Sequence, residues 1–185
     1  MKVLYKLPRS SLYLLLGICF SPVLMAADCS ISDDQDTTIS ADCDGFTLDS
    51  NQDFDITIDS GFTLSDDSNG LVIDLAIFNM TGTLINNGSV STIQTKAITF
   101  VGGSINSIIN NGTLAADSNT LDIDGAGNLI RFENTGTMSA STIATVNVSL
   151  RSELTTFINS GTISALDQTI FLDGGTITTL NNSGT

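Results

Sequence analysis

The chain has 185 residues, with 20 acidic and 6 basic side chains, a formal net charge of −14 and no histidine. A surface this acidic repels nucleic acid and anionic membranes, so we expect no nucleic-acid partner. Without histidine, the chain cannot form a Ser-His-Asp or a Cys-His catalytic arrangement.

The first 27 residues have the three parts of a secretory signal peptide: a positive start, an apolar run from Leu12 to Phe20, and the small residues Ala26 and Ala27. The apolar run is shorter than the roughly 20 residues that a membrane-spanning helix needs. We therefore predict cleavage after Ala27, export through the inner membrane to the cell surface or the medium, and no membrane insertion by the mature segment. Cleavage would leave three basic residues against 20 acidic ones.

Two cysteines remain in the mature chain, Cys29 and Cys43. In an exported protein an isolated pair this close in sequence predicts one disulfide. Free thiols are the alternative, whereas a metal site would lack ligands because there is no histidine and no third cysteine.

Residues 28–60 are rich in aspartate and form a predicted N-terminal cap made of short, degenerate coils. The segments that begin at Asp44 and at Ser60 both continue with Gly-Phe-Thr-Leu, which indicates that a repeat has already begun. The carboxylates could bind Ca²⁺, but their spacing fits neither an EF-hand loop nor the Gly-Gly-x-Gly-x-Asp repeat. We favour a solvated acidic face that blocks self-association at the sheet edge, and we predict no metal site and no cofactor.

Residues 61–185 carry the pattern that dominates the chain. An Asn-x-Gly-Ser/Thr phrase recurs at intervals of 23 to 25 residues, with its asparagines at Asn86, Asn110, Asn134, Asn159 and Asn182 and its glycines at Gly88, Gly112, Gly136, Gly161 and Gly184. A near-constant period of this size indicates stacked repeats. We predict an all-β fold, a single-stranded parallel β-helix (β-solenoid) with coils of about 24 residues, because one coil cannot bury its apolar face alone. Asn-Gly hairpin turns of an antiparallel sheet are the alternative.

Stacked coils about 4.8 Å apart would place the five asparagines in one column, where their amides could form a hydrogen-bonded ladder. Each glycine would then turn a corner that needs either a positive φ or a close backbone approach. Together with the cysteines, these asparagines and glycines are the structural residues that the sequence singles out.

Within each period, short alternating runs predict two or three strands with one buried face. The alternation in the run Thr120–Asp124 places Leu121 and Ile123 inside, so Asp122 and Asp124 are expected to point outward together. On that expectation, replacing Ile123 by Asp is severely destabilising and replacing Asp122 by Asn is nearly silent. The repeats run to Thr185 without a capping segment, which predicts a fragment or a chain that another segment completes.

The export signal, the Asn-x-Gly-Thr phrase with an apolar residue after it, and the coil length together resemble the N-terminal part of an autotransporter passenger domain, the secreted β-helix of type V secretion. The resemblance covers most of residues 45–185 and concerns a style of repeat, which large β-helical adhesins of two-partner systems share. It implies a C-terminal outer-membrane translocator barrel in the parent protein, and an adhesive or enzymatic role for the passenger.

Two hypotheses for function follow. In the first, the chain is a rigid structural and adhesive rod, not an enzyme, that presents rows of Thr, Ser and Asn to a host-cell or bacterial surface ligand. In the second, it is the stem of an exported polysaccharide lyase, hydrolase or protease whose catalytic part lies elsewhere. No catalytic residues are predicted within the chain, because the exposed carboxylates expected at one coil are typical of any acidic solenoid.

Overall fold

A computed structural model describes residues 27–32, 35–66 and 71–185. The predicted signal peptide therefore lies outside the described residues, except for Ala27. The described part contains only β-structure and turns: β1 (Thr37–Ile39), β2 (Phe46–Thr47), β3 (Ile56–Ile58), β4 (Thr63–Asp66), β5 (Leu71–Asp74), β6 (Met80–Asn86), β7 (Ser89–Thr92), β8 (Lys96–Val101), β9 (Ser104–Asn110), β10 (Thr113–Ala116), β11 (Asn119–Asp124), β12 (Asn128–Asn134), β13 (Thr137–Ala140), β14 (Ala144–Ser149), β15 (Glu153–Asn159), β16 (Thr162–Ala165), β17 (Gln168–Asp173) and β18 (Thr176–Asn182).

The strands form three parallel sheets that run along the axis of a β-solenoid. Sheet A has the order β1-β3-β6-β9-β12-β15-β18, sheet B the order β4-β7-β10-β13-β16, and sheet C the order β2-β5-β8-β11-β14-β17. Each full coil contributes one strand to each sheet, for example β9, β10 and β11. The predicted solenoid is confirmed, and the alternative of antiparallel hairpins is wrong because each strand pairs with its equivalent in the next coil.

The period of the coils agrees with the spacing of the Asn-x-Gly phrase. In sheet A, Asn110 lies opposite Asn86 on one side and Asn134 on the other, which sets the coil at 24 residues. Short strands of β-branched and small residues suit this arrangement, since Gly, Asn and Ser occupy the corners between them. The early strands β1, β2 and β3 join sheets A and C, so the acidic N-terminal stretch is part of the same solenoid.

The core consists of columns in which equivalent aliphatic residues of successive coils stack. One column in sheet B joins Leu64, Val90, Leu114, Met138 and Ile163. The first four are buried. Ile163 is half-buried, because it lies in the edge strand of sheet B and has a neighbouring strand on one side only. Columns of this kind remove apolar surface from water only when coils stack, which is why the period and the core depend on each other.

The two remaining sheets supply the rest of the interior. In sheet C, Leu121 and Ile123 are fully buried as the alternation predicts. In sheet A, Phe132 and Phe157 meet edge to face with ring centroids 5.5 Å apart. Some apolar residues of sheet A, such as Ile130, point outward instead and are exposed. The apolar run at the end of each repeat is therefore divided between the core and the outer face.

The predicted disulfide between Cys29 and Cys43 is present, with a Cα–Cα distance of 5.3 Å. Two backbone hydrogen bonds lie beside it, from Cys29 N to Gly45 O at 2.7 Å and from Asp44 N to Ala27 O at 3.1 Å. The bridge therefore holds the first described residues against the turn that leads into β2. In this way it anchors the N-terminal end of the solenoid.

Removing this bridge should loosen the first coil and leave the middle of the rod intact. A Cys29→Ser/Cys43→Ser variant is expected to lose about 3 kcal/mol of local stability, the chain-entropy value for a loop of about 15 residues. Hydrogen exchange measures this as faster exchange in β1 and β3, with unchanged rates in β12. Reduction of the disulfide in the original protein should produce the same pattern. Unchanged exchange rates in β1 and β3 would show that the disulfide does not stabilise the first coil.

Candidate binding surface

The outer side of sheet B is an uncharged surface of small hydroxyl side chains. Its strands alternate, so that Leu114 and Met138 point into the core while Thr113 and Thr137 point outward and are exposed. We call the outward residues the hydroxyl face; they are Thr63, Ser65, Ser89, Ser91, Thr113, Ala115, Thr137, Ser139, Thr162 and Ser164. Nine of these ten positions carry a hydroxyl group. No position in the set carries a charge.

The residues of the hydroxyl face form two straight columns. Strand register places Thr113 directly between Ser89 and Thr137, and Ala115 between Ser91 and Ser139. Neighbouring members of a column are therefore about 4.8 Å apart, the spacing of paired strands. Each hydroxyl can donate and accept a hydrogen bond, so the face offers a regular set of both functions to a ligand.

A second row of polar side chains continues this surface around the corner between sheets A and B. Asn111 Nδ2 donates to Asn87 Oδ1 at 2.9 Å, and Thr135 Oγ1 donates to Asn111 Oδ1 at 2.8 Å. Ser160 and Ser183 hold the equivalent places in the next two coils. The row extends the polar, uncharged surface beyond the strands of sheet B.

Behind this corner, the five asparagines of the repeat phrase lie in one hydrogen-bonded column. Their amides donate in one direction along the axis, from Asn86 to Asn110, Asn134, Asn159 and Asn182, at distances of 2.6 to 2.7 Å. The first four asparagines are buried. A ladder of this kind satisfies polar groups inside the solenoid and fixes the register of the corner.

The glycines that follow these asparagines serve close packing and not a left-handed backbone. A Cβ atom at Gly112 would lie 2.0 Å from the carbonyl oxygen of Gly88, and one at Gly136 would lie 2.0 Å from that of Gly112. Gly161 and Gly184 meet the preceding coil in the same way. Of the two reasons predicted for these glycines, the close approach of successive backbones holds, because none of the five has a positive φ.

The expectation that Asp122 points into solvent is wrong. Its side chain is only 2% exposed, although its neighbours Leu121 and Ile123 do face the core. Polar side chains of adjacent coils cover it: Lys96 Nζ lies 2.5 Å from Oδ2, and Asn147 Nδ2 lies 2.6 Å from Oδ1. The reason for expecting Asp122→Asn to be silent is thereby removed.

The second carboxylate of that run behaves as predicted for a residue at the surface. Asp124 is half-buried at the end of β11, and its Oδ1 accepts a hydrogen bond from Gly125 N at 2.7 Å. Asp122 and Asp124 are therefore not a pair of exposed carboxylates. Nearby, Arg131 Nη2 contacts Glu133 Oε2 at 2.5 Å on the outer side of sheet A.

Several aspartates of the first coils accept hydrogen bonds from the backbone of the following coil. Asp36 Oδ1 accepts from Asp55 N at 3.0 Å, Asp42 Oδ1 from Thr63 N at 2.8 Å, and Asp55 Oδ1 from Thr83 N at 2.7 Å. These carboxylates satisfy backbone N–H groups at the outer side of the early strands. Over the described residues, His, Cys, Asp and Glu do not gather in groups of three or more that could hold a metal ion.

The corner between sheets C and A carries exposed apolar side chains that the sequence pattern did not single out. Ile77, Val101 and Leu150 lie in three of these corners, and a Cβ added to Gly125 would meet Val101 Cγ1 at 2.5 Å. Gly174 faces Leu150 Cδ2 at the same distance. These apolar residues rest on a glycine of the next coil, which explains their position without a ligand.

Comparison with known proteins gives no guide to identity. The chain matches no protein-family model, no curated protein and no solved structure. Within the part of the chain that the structure describes, there is also no helix long and apolar enough to cross a membrane. The solenoid and its surfaces are therefore the features that point to a function.

Proposed function

We propose that this chain is an exported adhesive segment of the autotransporter-passenger type, a rigid rod whose hydroxyl face binds a polar ligand on a host cell, on a bacterial cell or on another copy of itself. One observation carries the proposal: in a chain with a net charge of −14, none of the ten outward positions of the hydroxyl face carries a charge. Binding, and not catalysis, is the proposed role.

The hydroxyl face suits polar recognition for two physical reasons. Its side chains are short and stand on paired strands, so they lose little conformational entropy when a ligand binds. Its lack of charge spares a neutral ligand the repulsion and desolvation that carboxylates would bring. The columns around Thr113 and Thr137 repeat the same contact in each coil, so that many weak hydrogen bonds can add up.

The proposed location outside the cytoplasm has support of its own. The bridge between Cys29 and Cys43 is typical of proteins that fold in oxidising compartments. The resemblance to passenger domains depends on two features of this chain: the N-terminal sequence that indicates export, and the coils of about 24 residues. A translocator barrel in the parent protein belongs to the same proposal.

Several of the described carboxylates engage nearby groups within the fold, which favours binding over catalysis. Asp122 is held by Lys96, and Glu133 is held by Arg131. Glu153 Oε1 accepts hydrogen bonds from Thr155 at 3.3 Å and Thr178 at 3.1 Å. None of these contacts places two carboxyl groups across a cleft, the arrangement that glycoside hydrolysis requires.

A pair of charged substitutions tests the hydroxyl face. We expect a Thr113→Lys/Thr137→Lys variant to bind cells about tenfold more weakly or worse, a loss of at least about 1.4 kcal/mol, because two long side chains hold the ligand away from the columns. The measurement is binding of the fluorescently labelled, purified protein to cultured epithelial cells, to bacterial cells and to beads coated with the same protein.

The matched control places the same two charges on another side of the rod. Asn106 and Ile130 are exposed on sheet A, so Asn106→Lys/Ile130→Lys should keep the fold and most of the binding. Equal loss in both variants would mean that the hydroxyl face has no special part. Absence of binding to either kind of cell and to the coated beads would remove the adhesive proposal altogether.

A further inference from the structure

Lys96 and Asp122 form an ion pair on sheet C whose carboxyl group is buried and is also held by two asparagine amides. Lys96 begins β8 and Asp122 lies in β11, the paired strand of the next coil. Lys96 Nζ lies 2.5 Å from Asp122 Oδ2. The side chain of Asp122 is 2% exposed and that of Lys96 is 34% exposed, so the contact closes over a carboxyl group that water does not reach.

The second oxygen of this carboxyl group is held by two amide donors. Asn119 Nδ2 donates to Asp122 Oδ1 at 3.0 Å, and Asn147 Nδ2 donates to it at 2.6 Å. The amide oxygens of both asparagines are buried without a partner among the described residues. Donation to Asp122 Oδ1 therefore orients the amide of Asn119, and it orients that of Asn147 together with a hydrogen bond from Asn147 Nδ2 to Ser149 Oγ at 3.0 Å.

These contacts divide the carboxyl group into two chemically different ends. Oδ1 is stabilised by two N–H groups, as the oxyanion is in acyl transfer. Oδ2 faces the amine and also accepts a weak hydrogen bond from Thr99 Oγ1 at 3.4 Å. The carbon between them, Cγ, lies one covalent bond beyond Oδ2 and within reach of Lys96 Nζ.

We propose that Lys96 and Asp122 condense to an isopeptide bond that links two neighbouring coils of sheet C. The inference goes beyond the proposed adhesive function and does not depend on it. It assigns a covalent modification site, with the ε-amine as nucleophile and the Asp122 carboxyl group as electrophile.

The reaction needs no external reactant. Lys96 Nζ first gives one proton to Oδ2, and its lone pair then forms a bond to Cγ while the carbonyl electron pair moves to Oδ1. Asn119 and Asn147 stabilise the negative charge that develops there. Nζ passes a second proton to Oδ2, the C–Oδ2 bond breaks, and water leaves. Ammonium and carboxylate are thus converted into one amide and one water molecule, with no oxidation or reduction.

The fold supplies the conditions that make such a condensation feasible. Two groups held at contact distance can react with effective molarities on the order of 10⁵ to 10⁸ M, because little entropy remains to be lost. Burial of Asp122 raises the cost of the charged pair relative to a neutral amide. The same burial keeps water away from the product, which disfavours hydrolysis.

The bond would join residues that are 26 positions apart and lie one above the other in the rod. Such a link closes a full coil covalently, so the two coils could not separate even if their strand hydrogen bonds opened. For a rod that transmits force at a cell surface, this is a mechanical staple between coils.

The positions of the basic residues give a direct test. Apart from Lys96, Arg131 and Arg151, the chain has no lysine or arginine after residue 27, so trypsin should release residues 97–131 from reduced, denatured protein that lacks the isopeptide bond. If Lys96 is acylated, trypsin cannot cut after it. We expect one larger peptide that ends at Arg131, with a mass one water molecule below that of its sequence.

Two variants serve as controls. Lys96→Arg keeps the positive charge and the ion pair, but a guanidinium group is not acylated under these conditions, so the 97–131 peptide should appear. Asp122→Ala should release it as well, and circular dichroism checks that both variants retain their β-structure. Full release of the 97–131 peptide from the protein without substitutions would overturn the proposal. So would a peptide mass one water molecule below the sequence mass in Asp122→Ala.

Discussion

Replacing Ile123 by Asp is expected to cost more than about 4 kcal/mol and to unfold the middle of the solenoid. Ile123 is fully buried and lies in register between Phe100 and Val148 of the neighbouring coils. A carboxylate there would be surrounded by aliphatic and aromatic side chains, and the described part of the chain places no cation against it. Urea denaturation followed by far-ultraviolet circular dichroism measures the effect as a large fall in the midpoint.

The chain offers a matched control in the same sheet. Val101 is 47% exposed at the end of β8, and its partner in the next coil is already an aspartate, Asp124. Val101→Asp makes the same kind of change at the surface, where its main cost is repulsion from Asp124, so the loss should stay below about 1 kcal/mol. Unfolding of both variants at the same urea concentration would contradict the register on which the core columns depend.

Apart from the disulfide, the features that the sequence predicted correctly are those that repeat. The Asn-x-Gly phrase fixed the coil length, and the alternation around Leu121 and Ile123 identified the buried face. Both signals work because stacking multiplies a single local rule over several coils. The third strand per coil was harder to see, since the four-residue strands of sheet B, such as β10, are too short for a clear alternation.

The error at Asp122 shows where sequence reasoning stops. Alternation correctly places this residue on the side of the strand away from Leu121, but it says nothing about what covers that side. The covering groups, Lys96 and Asn147, lie 26 and 25 residues away in sequence. Only the register of three successive coils shows that they meet at one carboxylate, and no single repeat carries that information.

The hydroxyl face was foreseen only in outline. Rows of Thr, Ser and Asn were expected, but not their concentration on sheet B. The repeat phrase does not show which strand of a coil belongs to which sheet. The register of Thr113 with Thr137 settles their alignment. The binding role of this face stays a proposal that the substitutions above are designed to test.

The asparagine ladder gives the second large expected effect, and it should depend on position along the rod. Asn134 is fully buried; its Oδ1 accepts from Asn110 and its Nδ2 donates to Asn159, both at 2.7 Å. Asn134→Ala leaves Asn159 Oδ1 without its donor, and Asn110 Nδ2 loses its shortest hydrogen bond but keeps the longer one to Thr137 O at 3.2 Å. At about 1 to 3 kcal/mol for the unpaired acceptor and about 0.5 to 1.5 kcal/mol for the lost hydrogen bond, we expect a loss of about 1.5 to 4.5 kcal/mol, measured by urea denaturation.

Asn182 provides the comparison, because it is exposed and its Oδ1 accepts from Asn159 Nδ2 at 2.6 Å at the end of the ladder. In Asn182→Ala the freed amide lies near solvent and can bond to water, so the cost should stay below about 1 kcal/mol. If the ladder stabilises the rod through buried, directional hydrogen bonds, the two substitutions must differ. Equal costs would mean that the asparagines merely fill space at the corner, and the close approach of the glycine backbones would then be what fixes the register.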